Sequence, residues 1–244
     1  MTTIDFKNIT TVWVDLDDTL IDFTTNAHTS LVKMWRDEPP LQHYFPTADL
    51  WAEKYERHNI ALWAQYNIGQ ISRDYLRLQR FLMPLTEAGM PPADAEPLAR
   101  RYDTLYLDYL ANEKALMPGA MELLGFLRNK GVRIGCLSNG FKEVQFRKIR
   151  TAGLEQWIDI VVLSDDIGVN KPDRRLFDYA MAQTGDNDPH HHMMIGDNPQ
   201  TDIAGAIGAG WSAIWYHPTR AFPGVPCPPG AIEITDLHEI TTAT

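Results

Sequence analysis

Apolar and polar positions along the chain follow two different rhythms. Val12, Trp13 and Val14 open a short apolar strand, read over residues 11–16, whose end is crowded with acid: Asp15, Asp17 and Asp18. From about 24 to 112 the β-branched runs vanish, and Trp, Tyr, Leu, Arg and Glu dominate. Three or four helical stretches are predicted there. One is capped by Thr47 and runs to near Gly69, one is capped by Ser72 and stops at Pro84, and one spans Pro92 to about Asn112. In the first, Leu50, Lys54, Tyr55, His58, Leu62 and Tyr66 recur at steps of three and four. After Pro118-Gly119 the rhythm alternates. Helix "AMELLGFLRNKG", strand "VRIGCLS", helix "KEVQFRKIRTAG", strand "DIVVLS", helix "RRLFDYAMAQTG", strand "HMMIGD", helix "PQTDIAGAIGAG" and strand "SAIWYH" follow in order. A turn-rich loop, "PGVPCPPGA", then precedes a short final strand. This pattern predicts an α/β fold with a doubly wound, mainly parallel sheet and helices on both faces. The core would comprise residues 1–21 and 114–244, with a helical domain, 22–113, inserted after the first strand.

Composition narrows the function. A formal net charge of −10 over 244 residues disfavours nucleic acid and anionic membranes as partners. Cys136 lies in an apolar run and Cys227 in a proline-rich loop, which argues against a disulfide framework. No basic-then-apolar leader is read at the N-terminus, and no apolar run reaches the ~20 residues of a membrane span. A cytoplasmic protein, monomer or dimer, is expected.

Ligands of open parallel sheets bind outside the carboxyl ends of the strands, and the polar residues collect there. The predicted strands end in Asp15-Leu16-Asp17-Asp18-Thr19, in Ser138-Asn139-Gly140, in Asp165-Asp166 followed by Lys171, and in Gly196-Asp197-Asn198 followed by Asp202. Four converging carboxylates, Asp15, Asp17, Asp197 and Asp202, repel one another unless a cation compensates. Oxygen ligands without His or Cys suit Mg²⁺, which commonly also holds substrate phosphate. Lys171 offers a point charge and Ser138 a hydroxyl. The Asn139 and Gly140 amides, opening a helix, could complete an anion nest. Side chains two apart at a strand end share a side. Asp15 and Asp17 could therefore divide the labour, one attacking phosphorus and the other moving the proton. Asp18 would face elsewhere as a turn residue.

These segments resemble the haloacid dehalogenase (HAD) superfamily of phosphohydrolases. "DLDDT", "CLSNG", Lys171 in "VNKPD" and "GDNPQTD" match its four motifs in order, and the insertion resembles its helical cap. The resemblance implies a Rossmann-like core and a Mg²⁺-dependent phosphatase. Asp15 would be nucleophile and metal ligand, and Asp17 the general acid/base that also ligates the metal through its backbone carbonyl. Asp197 would be the third protein ligand. Asp202 and Asn198 would lie in the outer shell, or Asp202 would hold Lys171. Substrate would meet Thr19, Ser138, Asn139, Gly140 and Lys171. The dehalogenase branch lacks an aspartate at the position of Asp17, which favours a phosphatase. "LWAQYNIGQISRDYLRLQRF", "SNGF", "GVNKPDRRLFDYA" and "MMIGDNPQTDIAGAIGAG" further resemble the bacterial noncanonical pyrimidine 5′-nucleotidases. The implied substrate is then a small phosphate ester, a nucleoside monophosphate, selected by the cap.

Plainer readings stand beside these. Paired aspartates usually form turns or caps, and Ser138, Asn139, Gly140 and Lys171 are each ordinary loop residues alone. Only their joint placement outweighs that. His190, His191 and His192 read as a solvated loop rather than a metal site. Trp51, Trp63 and Tyr66 read as bundle packing before base stacking. Arg73, Arg77 and Arg80 read as a solvated face or a phosphate clamp, and Phe141 as packing or a substrate contact. A phosphatase for sugar phosphates or phosphoglycolate is the alternative enzyme. A non-catalytic phosphate sensor or scaffold is the alternative of another class.

Overall fold

The computed structural model describes residues 4–218, 222 and 224–242; Pro223, which heads the proline-rich loop, lies outside them. The chain divides into two compact units, residues 24–113 and residues 1–23 with 114–244.

The 24–113 unit is helical: α1 (Phe23–Asp37), α2 (Pro39–Tyr44), α3 (Ala48–Asn67), α4 (Arg73–Glu87) and α5 (Pro92–Leu110). The two predicted caps form. Thr47 Oγ1 accepts from Leu50 N (3.2 Å) and Ser72 Oγ from Tyr75 N (3.2 Å). Pro84 does not stop α4, which continues to Glu87. Its buried stripe, Leu76, Arg80, Phe81, Pro84 and Leu85, carries on through the proline, so burial offsets the lost backbone bond. The apolar pattern does not single out α1 and α2. The buried face of α1 includes Asn26 and Ser30, and the Ser30 hydroxyl donates to Asn26 O (2.8 Å), which hides the apolar period. The core here is aromatic: Trp51, Tyr55, Phe81, Tyr102 and Tyr106 are buried, with Phe81 4.7 Å from Tyr55 and 5.8 Å from Tyr106. Trp51 is thus a packing residue. Trp63 and Tyr66 meet edge to face at 5.4 Å, half-buried. Arg80 is neither on a solvated face nor offered to a phosphate. It is buried against Asp103, which Arg77 Nε also meets (2.7 Å).

The other unit holds a six-stranded parallel sheet. Its strands are β1 (Thr11–Val14), β2 (Arg133–Ser138), β3 (Ile160–Leu163), β4 (His192–Gly196), β5 (Ser212–Tyr216) and β6 (Ala231–Ile234), in the order β3-β2-β1-β4-β5-β6. Helices α6 (Ala120–Asn129), α7 (Lys142–Thr151), α8 (Arg174–Thr184), α9 (Ala204–Gly208) and α10 (His238–Thr242) join them. Alternation along β1 feeds two cores. Val12 and Val14 pack with Leu123, Leu124 and Leu127 of α6 and Ile149 of α7; Trp13 packs with Leu176, Phe177 and Ala180 of α8 and Ala206 of α9. The predicted doubly wound α/β sheet is therefore what forms. Successive strands are laid from β1 towards β3 on one side and from β4 towards β6 on the other. The switch in direction between β1 and β4 opens a crevice at their carboxyl ends, where ligands bind in such sheets.

Two local readings are corrected. His192 is not in a solvated loop. It starts β4 fully buried, accepting from Trp13 Nε1 (3.2 Å) and meeting Asp186 O (2.9 Å), while His191 pairs with Asp186. "PQTDIAGAIGAG" is not one α-helix. A π-type turn, Pro199–Ile203, precedes α9, and both Asp202 N and Ile203 N donate to Asn198 O. Beyond β1, the segments flanking residues 24–113 pair with each other: Met117 N donates to Leu20 O (2.9 Å) and Asp22 N to Ala115 O (3.0 Å).

Candidate active site

The crevice is built from four loops. Asp15 is the first residue past β1, and its N–H donates to Ile195 O (2.9 Å), which fixes it beside β4. The chain then turns tightly. Leu16 O accepts from the N–H groups of Leu20 and Ile21, and Asp18 N donates to Ile21 O (2.8 Å). Asp18 takes φ +54°, a left-handed conformation that aspartate tolerates; it is a turn residue. Thr19 is fully buried, and its hydroxyl has no hydrogen-bond partner among the described residues.

Carboxylate oxygens of Asp15, Asp197 and Asp202 lie within 4.8 Å of one another. Lys171, buried, sits among them: Nζ is 2.6 Å from Asp15 Oδ1, 2.7 Å from Asp202 Oδ1 and 2.7 Å from Leu137 O. Asn139 anchors the lysine's backbone in both directions, donating from Nδ2 to Lys171 O (3.0 Å) and accepting Lys171 N–H at Oδ1 (2.7 Å). Asp202 Oδ2 takes the Asn198 N–H (3.0 Å), so both its oxygens are engaged, one of them with the lysine. Asn198 Oδ1 in turn accepts from Gln200 N and Thr201 N, capping the turn that carries Asp202. Gly196 leaves room for that carboxylate. A Cβ there would stand 2.6 Å from Asp202 Cγ.

One ammonium does not neutralise three acids. Burial pushes Asp15 up to about 7; Lys171 pulls the other way, and Asp202 and Asp17 push it further up. Asp197 is held well above the ordinary carboxylate range by burial, then by Asp202 and Asp15. For Lys171, desolvation opposes the charge, but Asp15 and Asp202 overcome it and hold the ammonium above its ordinary value. A buried, oxygen-only set with uncompensated negative charge fits a hard divalent cation such as Mg²⁺. Asp15 and Asp197 could hold it, since Asp202 has both oxygens taken, by Lys171 and by the Asn198 amide.

Asp17 does not join this cluster through its side chain. Oδ2 accepts from Gln145 Nε2 (2.9 Å), and Oδ1 forms an ion pair with Lys148 Nζ. Gln145 Nε2 also donates to Ser138 Oγ (2.7 Å), which accepts Gly140 N–H as well (3.1 Å). The Gly140 amide is therefore spent within the loop rather than open to an anion. Phe141 is buried. Asp165 and Asp166 bind Lys142 and local amides. Sequence reasoning does not find Gln145 and Lys148, nor Trp215, whose Nε1–H donates to Asp197 O (2.8 Å). A signal exists in α7: Gln145 and Lys148 share its buried stripe with Val144 and Ile149, where apolar residues belong.

Comparison with known proteins agrees with this geometry. Over 206 residues the chain is 31 % identical to pyrimidine 5′-nucleotidase YjjG of Escherichia coli (strain K12), covering 84 % of this chain and 85 % of that protein. It is 34 % identical over 199 residues to a phosphoserine phosphatase of Thermus thermophilus, covering 79 % and 77 %. Its structure is similar to that of the HAD-hydrolase YfnB from Bacillus subtilis, crystallised bound to magnesium: TM-score 0.82, 28 % identity, 96 % of this chain and 97 % of that one. Residues 9–210 match the haloacid dehalogenase-like hydrolase family. With that match spanning the acidic cluster, the lysine and strands β1 to β4 that gather them, the chain belongs to the haloacid dehalogenase-like hydrolases.

Proposed function

We propose that this hydrolase is a Mg²⁺-dependent phosphomonoesterase working through an aspartyl-phosphate on Asp15, and that its substrates are pyrimidine nucleoside 5′-monophosphates. The observation that carries the reading is the meeting of Asp15, Asp197, Asp202 and Lys171 in the crevice between β1 and β4. Bound there, Mg²⁺ supplies positive charge that keeps Asp15 ionised and offsets charge on the phosphoryl oxygens. The Asp15 carboxylate attacks phosphorus, and the ester P–O bond breaks as Asp17 gives the leaving alkoxide a proton. Asp17 then takes a proton from water, whose oxygen attacks the phospho-aspartate. Inorganic phosphate leaves and Asp15 is regenerated. Lys171 and the Ser138 hydroxyl steady the phosphoryl oxygens. Lys171 is itself oriented by Asp202 and Asn139. The similarity to YjjG supports the nucleotide as substrate. The similarity to a phosphoserine phosphatase makes O-phosphoserine the competing one.

The test is phosphate release by the purified protein with Mg²⁺ from UMP, dTMP, ribose 5-phosphate, phosphoglycolate and O-phosphoserine. The highest kcat/KM is expected on UMP or dTMP. Preference for another ester overturns the nucleotidase assignment, and inactivity on every ester overturns the phosphatase.

A further inference from the structure

Gln145 and Lys148 have no part in the mechanism above, yet both are buried polar side chains of α7 aimed at its reacting groups. We propose that they are positioning residues: Gln145 forces the Ser138 hydroxyl to act as a donor, and the two together lock the Asp17 carboxylate. The proposal rests on the phosphomonoesterase reading.

The argument for Ser138 is a count of lone pairs. A hydroxyl has two acceptor sites and one proton. Ser138 Oγ accepts from Gln145 Nε2 (2.7 Å) and from Gly140 N (3.1 Å), so both sites are filled. What remains is the O–H, which must be donated. A phosphoryl oxygen can only accept, so the serine is committed in advance to the sense a phosphate requires. The amide orientation is settled by the neighbouring carboxylate: the NH₂ group donates to Asp17 Oδ2 (2.9 Å), where the carbonyl end would meet repulsion.

The argument for Asp17 is that each oxygen has its own holder, Gln145 on Oδ2 and the Lys148 ammonium on Oδ1. Lys148 is 3 % exposed, and its Nζ stands 5.0 Å over the Phe23 ring, so it has little water to turn to. The bare Cα of Gly140 admits the Gln145 side chain. A Cβ there would lie 2.8 Å from Gln145 Cγ and closer still to the amide.

A purely structural ion pair would lower kcat/KM of all esters alike, so the leaving-group dependence of kcat/KM is the discriminating readout. The phenolate of p-nitrophenyl phosphate departs without a proton, whereas the alkoxide of a nucleotide needs one, and general acid catalysis is worth about 10²–10⁴-fold. Lys148→Met is expected to lower kcat/KM on UMP, or on the best ester found, at least ~10-fold more than on p-nitrophenyl phosphate, because kcat/KM ends at phosphoryl transfer and leaves out the shared hydrolysis of the phospho-aspartate; Lys148→Arg should recover most of that loss. Gln145→Leu is expected to lower kcat on both esters by ~10-fold or more, with KM changed less, because the Ser138 contact serves any phosphoryl group. Gly140→Ala, which pushes the amide aside without removing it, should reproduce Gln145→Leu, and Lys148→Gln replaces Lys148→Met in the two-ester comparison if the latter does not fold by circular dichroism. Equal losses of kcat/KM for Lys148→Met on both esters, or wild-type kcat in Gln145→Leu or Gly140→Ala, would overturn the assignment. The wild-type rates in the same assay judge the phosphatase reading separately.

Discussion

Replacing Asp15 by Asn should stabilise the metal-free protein, and more so at pH 8 than at pH 5. Asp15 is 7 % exposed, and its carboxyl is pushed from 3.8 up to about 7, first by burial. The folded state therefore binds the proton more tightly than the unfolded chain. Stability from this group is fully present below about pH 4 and is lost as the pH rises through about 7. At about 1.4 kcal/mol per tenfold change in acidity, holding this carboxyl at about 7 instead of 3.8 costs the fold about 4 kcal/mol at pH 8 and about 2 kcal/mol at pH 5. Asparagine has the shape of the protonated acid and escapes the penalty. Urea titrations in EDTA, followed through the fluorescence of the seven tryptophans, would read the difference. The variant should gain about 1–4 M in midpoint at pH 8 and about half of that at pH 5. Mg²⁺ at 100 times its dissociation constant should add about 2.7 kcal/mol to the wild type and less to the variant, and chelation should reverse the gain. Turnover of the variant should be abolished. An Asp15→Asn variant less stable than wild type at pH 8, or a gain independent of pH, would refute the electrostatic reasoning.

Two more outcomes are expected from the packing. Gly196→Ala forces a Cβ to 2.6 Å from Asp202 Cγ. It should cost about 1–3 kcal/mol in urea midpoint and lower kcat by ~10-fold or more, because Asp202 is the carboxylate that holds Lys171. Phe81→Ala removes the ring on which Trp51, Tyr55, Tyr102 and Tyr106 converge; a loss of about 3–5 kcal/mol should appear in the same titration.

The sheet and most of its acidic edge are legible in the sequence because a buried parallel strand is an apolar run that stops abruptly, and the residues just past the stop line the crevice. Asp15, Lys171, Asp197 and Asp202 can be assembled that way without coordinates. The same rule overreaches at Gly140, where a strand-end position says nothing of whether an amide is already taken. Gln145 and Lys148 stay hidden because their meaning comes from tertiary contact. On a helix with so many charged residues, two more polar ones look like solvent-facing positions until the sheet covers them. Arg80 and His192 mislead for the matching reason: residue type alone suggests exposure, while each has a polar partner inside, Asp103 and Asp186. Pro84 shows a local rule outweighed by a continuous buried stripe.

The paired segments at Leu20–Met117 and Asp22–Ala115 have a consequence for how this chain can change. Residues 24–113 are threaded between two segments already joined to each other, so the loop that follows β1 and carries Asp15 is fixed whatever is threaded there. Evolution or a designer can lengthen, replace or delete that stretch of chain as a cassette while the Asp15 loop stays put.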